Sequence, residues 1–327
     1  MIAPTQRAAN QSTIVTLTMN PALDITTDAK VVRPTDKIRC SGARYDPGGG
    51  GVNVAQVAHI LGASVSAVFP AGGATGDMLT DLLTDRGVPI RRVKIADTTR
   101  ESFTINEAGT GLQYRFVLPG PRLTFAEQEQ CLDELRLAAT SAKFVVTSGS
   151  LPPGVPMNYY QWVADICRDL GTSLVLDASG AGLQQITSGV FLLKASVREL
   201  RECVERELAT ESEQMAAAYE LIESGRAQAV VVSRGSEGAL LATSNESKRF
   251  SAIPMRAVSG VGAGDAMVAA ITVGLSRGWP LSKSVCFGIA AGAAMLMTPG
   301  TQPCTRADAE RLFEVAAEPV DVDVVCT

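Results

Sequence analysis

Six short, apolar and largely β-branched runs recur along the chain: TIVTLT, SVSAVF, KFVVTS, TSLVLD, VFLLKA and QAVVVS. Helical patterns separate several of them, at Gly76 to Arg86, Thr124 to Thr140 and Met157 to Leu170. Short apolar runs bounded by turn residues read as buried strands. Their alternation with helices predicts an α/β fold, a mainly parallel sheet covered by helices on both faces. Ligands in such sheets gather beyond the carboxyl ends of the strands, so the site is expected there.

Two segments break the rhythm, Thr26 to Tyr45 and Glu101 to Leu118, the latter with SFTINEA and QYRFVL around a GTG turn. Neither carries a crossover helix, which predicts a small β-sheet set apart from the main one, built from about 24–46 and 100–118 and lying over the site as a lid. The expected organisation is one α/β domain over 13–317, with loose termini at 1–12 and 318–327. Exposed strand edges on the lid need covering, and a second lid would cover them, so a homodimer through the lid is expected.

Composition narrows the ligand. The net charge of −5, without a block of like charges, lacks the footprint of a nucleic-acid or anionic-membrane partner. Seven cysteines (Cys40, Cys131, Cys167, Cys203, Cys286, Cys304 and Cys326) are scattered and never spaced as CxxC, which argues against a disulfide framework or a zinc site and for a reducing cytoplasm. The start, MIAPTQRAANQST, lacks an apolar core of the signal-peptide kind, and Val285 to Met297 is shorter than the ~20 residues of a membrane span. The single histidine, His59, lies on the apolar stretch VNVAQVAHILG, so Ser-His-Asp or Cys-His chemistry has little to rest on. A general base must then be a carboxylate, lysine, tyrosine or cysteine.

Two glycine loops carry the chemistry. In DPGGGGVNVAQVAHILG four glycines precede an amphipathic helix, where bare backbone N–H groups and the helix dipole favour hydroxyl or phosphate oxygens. Asn53, one turn in, adds a side chain that both donates and accepts. In VSGVGAGDAM, the residues Gly262, Ala263 and Gly264 precede an apolar helix from Asp265 to Leu275, and their N–H groups form an anion hole. Asp265 is either a first-turn stabiliser worth ~1 kcal/mol or the base that takes a hydroxyl proton while the N–H groups hold phosphoryl charge. The loop has no lysine and so is not a Walker loop, and it lacks the strand-then-GxGxxG setting of a dinucleotide fold.

GGGGVNVAQVAHILGASVSAVFPAGGATG and SGVGAGDAM together resemble the two signatures of the ribokinase-like (PfkB) carbohydrate kinases, and the resemblance runs from Ile14 to Phe313. TLTMNPALD, DKIRC, FPAGGATG, TRES, QYRFVLPG and SGSLPPGV resemble the 6-phosphofructokinase isozyme 2 branch of that family. The resemblance implies transfer of the ATP γ-phosphoryl group, with Mg²⁺, to the C1 hydroxyl of fructose 6-phosphate. Asp265 would be the base, Gly262, Ala263 and Gly264 the anion hole. Asp24 would hold sugar hydroxyls beside Gly49, Gly50 and Asn53, while Lys37, Arg100 and Ser150 would surround the sugar or its 6-phosphate. Lys194, Ser196, Ser233, Gly235 and Gly238 would line the nucleotide, and Glu199 would organise magnesium through water. Ser196 departs from the family, which carries asparagine there, and a shorter side chain with one hydroxyl implies weaker metal or phosphate positioning. Ser259 precedes GAGD where many members carry aspartate, and a K⁺ site formed largely by backbone carbonyls stays open. So do the alternatives 1-phosphofructokinase, tagatose-6-phosphate kinase and a sugar-phosphate or nucleotide-binding protein with little catalysis.

Overall fold

The computed structural model describes residues 13–256, 258–300 and 302–322. Its strands are β1 (Ile14–Leu17), β2 (Ala22–Ala29), β3 (Arg44–Gly48), β4 (Val65–Ala71), β5 (Ile90–Lys94), β6 (Arg100–Glu107), β7 (Gln113–Val117), β8 (Phe144–Ser148), β9 (Ser173–Asp177), β10 (Val190–Ser196), β11 (Ala227–Ser233), β12 (Ala239–Thr243), β13 (Ser247–Phe250) and β14 (Val320–Asp321). Its helices are α1 (Gly50–Ile60), α2 (Gly73–Asp85), α3 (Phe125–Ala139), α4 (Tyr159–Leu170), α5 (Ala181–Gln184), α6 (Val197–Val204), α7 (Glu211–Glu223), α8 (Ala263–Ser276), α9 (Leu281–Leu296) and α10 (Arg306–Glu314).

The ten-stranded sheet runs β14-β13-β12-β11-β10-β9-β8-β1-β4-β5. From β11 to β5 every pairing is parallel, whereas β12, β13 and β14 extend the other edge antiparallel. The six apolar runs are the six inner parallel strands, each sealed on both faces. Val52, Ile271 and Phe287 belong to a core under α1, α8 and α9, and Leu135, Val163 and Met215 to one under α3, α4 and α7. Pairing of Arg249 with Val320 ties part of the expected loose C-terminal segment to the sheet edge. Residues 1–12 and 323–327 lie outside the described residues.

Two helix expectations need correction. The last two glycines of the GGGG run, Gly50 and Gly51, lie inside α1, and α1 is not amphipathic: Gly51 through Ala58 are all buried between the sheet and α8. Likewise α8 begins at Ala263, with Gly262 as its N-cap. The late apolar run is α9, which packs so closely on α8 that a Cβ at Gly292 would lie 3.1 Å from Ala263 O. No helix among the described residues is long and apolar enough to cross a membrane.

The smaller sheet has the order β3-β2-β6-β7. Its first strand starts at Ala22, two residues before the expected 24, the second segment starts at Arg100 as expected, and β2 and β6 pair in parallel, Ala22 opposite Arg100. The β2–β3 and β6–β7 pairings are antiparallel, which makes the small sheet mixed. It leaves Phe116 and Val117 more than half exposed, at 51% and 59%.

Candidate active site

The carboxyl ends of β1, β8, β9 and β10 and the N-termini of α1 and α8 converge. Gly262 adopts φ 80°, and a Cβ there would lie 2.9 Å from the Met295 methyl carbon, so glycine is required to turn the chain into α8. The first N–H groups of α8 have no acceptor within the helix and face outward at its positive end.

Asp265 sits in that first turn. Asn53, from the first turn of α1, donates Nδ2 to Asp265 Oδ2 at 2.9 Å, and Ser148 at the end of β8 donates Oγ to Oδ1 at 3.3 Å. Asp265 keeps some accessible surface. Even so, desolvation by the surrounding protein, followed by the Asp177 carboxylate, outweighs Asn53, Lys194 and Ser148 and pushes its pKa up to about 7. Gly50 leaves room for this cluster, since a Cβ there would come within 2.8 Å of the Gly149 backbone nitrogen.

Lys194, at the end of β10, is buried and pairs with Asp177 at 3.1 and 3.3 Å. Burial alone would lower its pKa, but Asp177, Glu199 and Asp265 overcome that and hold the ammonium charged. Its Nζ reaches the α8 N-terminus: a Cβ at Gly264 would lie 2.9 Å from it. The N-terminus of α8 therefore has a positive charge beside it, from a neighbouring strand rather than from the loop.

The other expected residues distribute around this centre. Arg100 donates Nη2 to Asn20 O at 3.0 Å and Nη1 to Leu118 O at 3.2 Å. Burial lowers its pKa, opposed by Asp24, so the two side chains share one electrostatic neighbourhood. A Cβ at Gly48 would fall 2.7 Å from Asp24 Oδ1, so that carboxylate lies directly over the glycine run. Ser150 accepts from Asn20 Nδ2 at 3.3 Å, and Asn20, Arg100, Gly120 and Ser150 line a cavity of about 630 Å³. Gly49 (φ 107°) is the N-cap of α1.

Ser196 and Glu199 form the capping box of α6: Ser196 N and Oγ donate to Glu199 Oε2 at 2.8 and 2.7 Å, and Glu199 N donates back to Ser196 Oγ at 3.3 Å. Ser196 is in register with Ser233 on β11, so these residues stand with Lys194 at the carboxyl ends of two neighbouring strands. Ser233 donates Oγ to Ala195 O at 3.5 Å. Gly235 opens the turn to β12, and at Gly238 (φ 91°) a Cβ would sit 2.8 Å from Ala252 N, which accounts for that glycine by backbone packing alone. Lys37 is exposed on the connection between β2 and β3 and makes none of these bonds.

Sequence reasoning missed Ser148, Asp177, Asn20 and Gly48. Ser148 and Asp177 each close an apolar parallel strand with a polar residue, the one signal that marks a carboxyl-end position. Asn20 stood inside TLTMNPALD without a role.

The family model described as pfkB family carbohydrate kinase matches residues 17–308. The chain is 71% identical over 309 residues to ATP-dependent 6-phosphofructokinase isozyme 2 of Mycobacterium tuberculosis, covering 94% of this chain and 91% of that protein. It is similar in structure to phosphofructokinase-2 from Escherichia coli in complex with potassium (TM-score 0.89, 38% identity, 93% of this chain and 99% of that one). It is also similar to the same E. coli enzyme in complex with fructose-6-phosphate (TM-score 0.87, 37% identity, with the same coverage). With these signatures, this sheet and this site, the chain belongs to the pfkB family of carbohydrate kinases.

Proposed function

We propose that this protein transfers the γ-phosphoryl group of ATP to the C1 hydroxyl of fructose 6-phosphate, giving fructose 1,6-bisphosphate and ADP. The observation that carries this reading is Asp265, held by Asn53 and Ser148 at the mouth of the α8 anion hole with its pKa near 7. A carboxylate with that pKa is matched to taking a hydroxyl proton at neutral pH. As the C1 oxygen bonds to the γ-phosphorus, its proton passes to Asp265, and the bond from phosphorus to the β,γ-bridging oxygen breaks with its electrons leaving on ADP. The N–H groups of Gly262, Ala263 and Gly264 and the Lys194 ammonium stand where the transferring charge would develop.

On the sugar side, Asp24 with Gly49, Gly50 and Asn53 is assigned to the hydroxyls, and Arg100, Lys37 and Ser150 to the sugar and its 6-phosphate. On the nucleotide side we assign Lys194, Ser196, Ser233, Gly235 and Gly238. Among the described residues no group of three His, Cys, Asp or Glu side chains is placed to hold a metal. Magnesium is ordinarily carried by one or two carboxylates together with substrate phosphates, and Glu199, beside Lys194 and Ser196, fits that donor set through water. Bound there, Mg²⁺ would neutralise charge on the β- and γ-phosphates. The potassium complex of the E. coli relative supports K⁺ use, and we assign it to the loop at Ser259, which Ser259 N and Val258 N fasten to Leu296 O at the end of α9.

The small sheet is assigned as a lid, and its exposed Tyr45 and Phe116, which lie in one cross-strand row, as the face through which two copies pair. The free thiols Cys131 and Cys167 suit a reducing compartment, and we place the enzyme in the cytoplasm. A panel of sugar phosphates assayed with magnesium and ATP tests the substrate. Bisphosphate formed fastest from fructose 6-phosphate supports it, and preference for fructose 1-phosphate or tagatose 6-phosphate overturns it.

A further inference from the structure

A chain of directed hydrogen bonds runs from a buried carboxylate behind α1 to Asp265. Asp46 accepts from Arg44 Nε at 2.7 Å and from Arg86 Nη2 at 2.6 Å. Arg86 Nη1 donates to Gln56 Oε1. Gln56 Nε2 donates to Pro47 O at 3.2 Å and to Asn53 Oδ1 at 3.5 Å, and Asn53 Nδ2 donates to Asp265 Oδ2 at 2.9 Å. Asp46, Gln56 and Asn53 are 1%, 2% and 9% exposed, so in the folded chain their polar atoms rely on protein partners.

The sense of the chain follows from chemistry. A guanidinium only donates, so the Gln56 oxygen must face Arg86 and its NH₂ must face Asn53. The Asn53 oxygen must then face Gln56, which leaves its NH₂ for Asp265. Without that instruction an asparagine amide is nearly symmetric in shape and could offer its oxygen to the carboxylate instead.

We propose that Arg86 and Gln56 are positioning residues that fix the Asn53 amide so that it gives Asp265 a hydrogen-bond donor. Neither touches the reacting atoms; both act through Asn53. The inference rests on the reading of Asp265 as the base. The charged groups facing Asp265 are Asp177 and Lys194, and neither belongs to the chain.

Gln56→Glu reverses the instruction. Its carboxylate still accepts from Arg86 but also requires a donor from Asn53, which turns the Asn53 oxygen toward Asp265 and favours the protonated acid. Expected are an acid limb of kcat/KM displaced upward by about one pH unit and a kcat at pH 7 lowered about fivefold, with the KM for ATP unchanged. Arg86→Met, at a side chain 29% exposed, removes the guanidinium's part of the instruction and leaves Pro47 O to hold the Gln56 NH₂, so a smaller shift in the same direction is expected. The carboxyl band of Asp265, identified by its loss in Asp265→Asn, is titrated by infrared difference spectroscopy in both variants without substrate. A band that titrates as in the unsubstituted protein in both overturns the proposal, even if both unfold at lower temperature. A shifted band with unaltered phosphoryl transfer leaves the chain standing and overturns Asp265 as the base.

Discussion

Asn53 and Asp265 are 212 residues apart in sequence, yet Asn53 Nδ2 lies 2.9 Å from Asp265 Oδ2. The bond joins the first turns of α1 and α8, and it brings two positive helix ends onto one carboxylate. Both dipoles and the amide favour ionisation. Desolvation and Asp177 oppose it and prevail, which leaves Asp265 titrating near neutrality rather than near the usual 3.8.

That balance sets a pH dependence. Below pH about 7 Asp265 holds its proton and accepts none, so kcat/KM should fall about tenfold per unit toward acid and level off above. Stability moves the other way. A carboxyl whose folded pKa is raised binds its proton more tightly when folded, so its contribution is present below pH about 4 and is lost as pH rises through about 7. Thermal melts should therefore show Asp265→Asn more stable than the unsubstituted protein at pH 8, with the gap closing toward pH 4.

Lys194 and Asp177 form a pair buried on both sides, at 7% and 9% side-chain exposure. Lys194→Met strands the Asp177 carboxylate, and denaturant titration should show a loss of about 3–5 kcal/mol. Adding Asp177→Leu should recover much of that stability but none of the ATP affinity, which separates the structural part of Lys194 from its binding part.

Two glycine-to-alanine changes should behave differently. At Gly50 the new methyl meets the Gly149 backbone nitrogen at 2.8 Å, and the backbone has nowhere to move. At Gly264 it meets the flexible end of Lys194 at 2.9 Å, which swings aside. Gly50→Ala should unfold at markedly lower temperature and lose activity, whereas Gly264→Ala should stay folded and show a raised KM for ATP.

The parallel core was legible because its strands are apolar along their whole length, as strands buried on both faces must be. β5 was not: IRRVK is an edge strand whose arginines carry half-exposed positions, so its pattern reads as surface. The helix starts were misplaced for a related reason. Glycine signals a turn in sequence, yet Gly50, Gly51 and Gly264 lie within helices, where backbone crowds the Cβ position of the first two and the end of Lys194 that of the third. Asp265 and Asn53 were legible from their loops. Ser148 and Asp177 depend on which strand ends meet in space, and a single strand's sequence holds no record of its neighbours.

Ser196 raised doubt because the family carries asparagine there, and its observed role is the N-cap of α6. Ser196→Ala should cost about 1 kcal/mol in stability by removing the cap. Ser196→Asn keeps a capping side chain and restores separate donor and acceptor groups, so its melting temperature should hold while its KM for MgATP falls. Calorimetric melts and steady-state kinetics on the pair distinguish a cap from a nucleotide contact.

The central claim is that Asp265 takes the proton from the C1 hydroxyl of fructose 6-phosphate. Single-turnover phosphoryl transfer by Asp265→Asn, with sugar binding followed by calorimetry on the same preparation, tests it most directly. Binding should persist while transfer slows by at least ~100-fold. Transfer at a near-normal rate would contradict the claim and reduce Asp265 to a helix-end carboxylate.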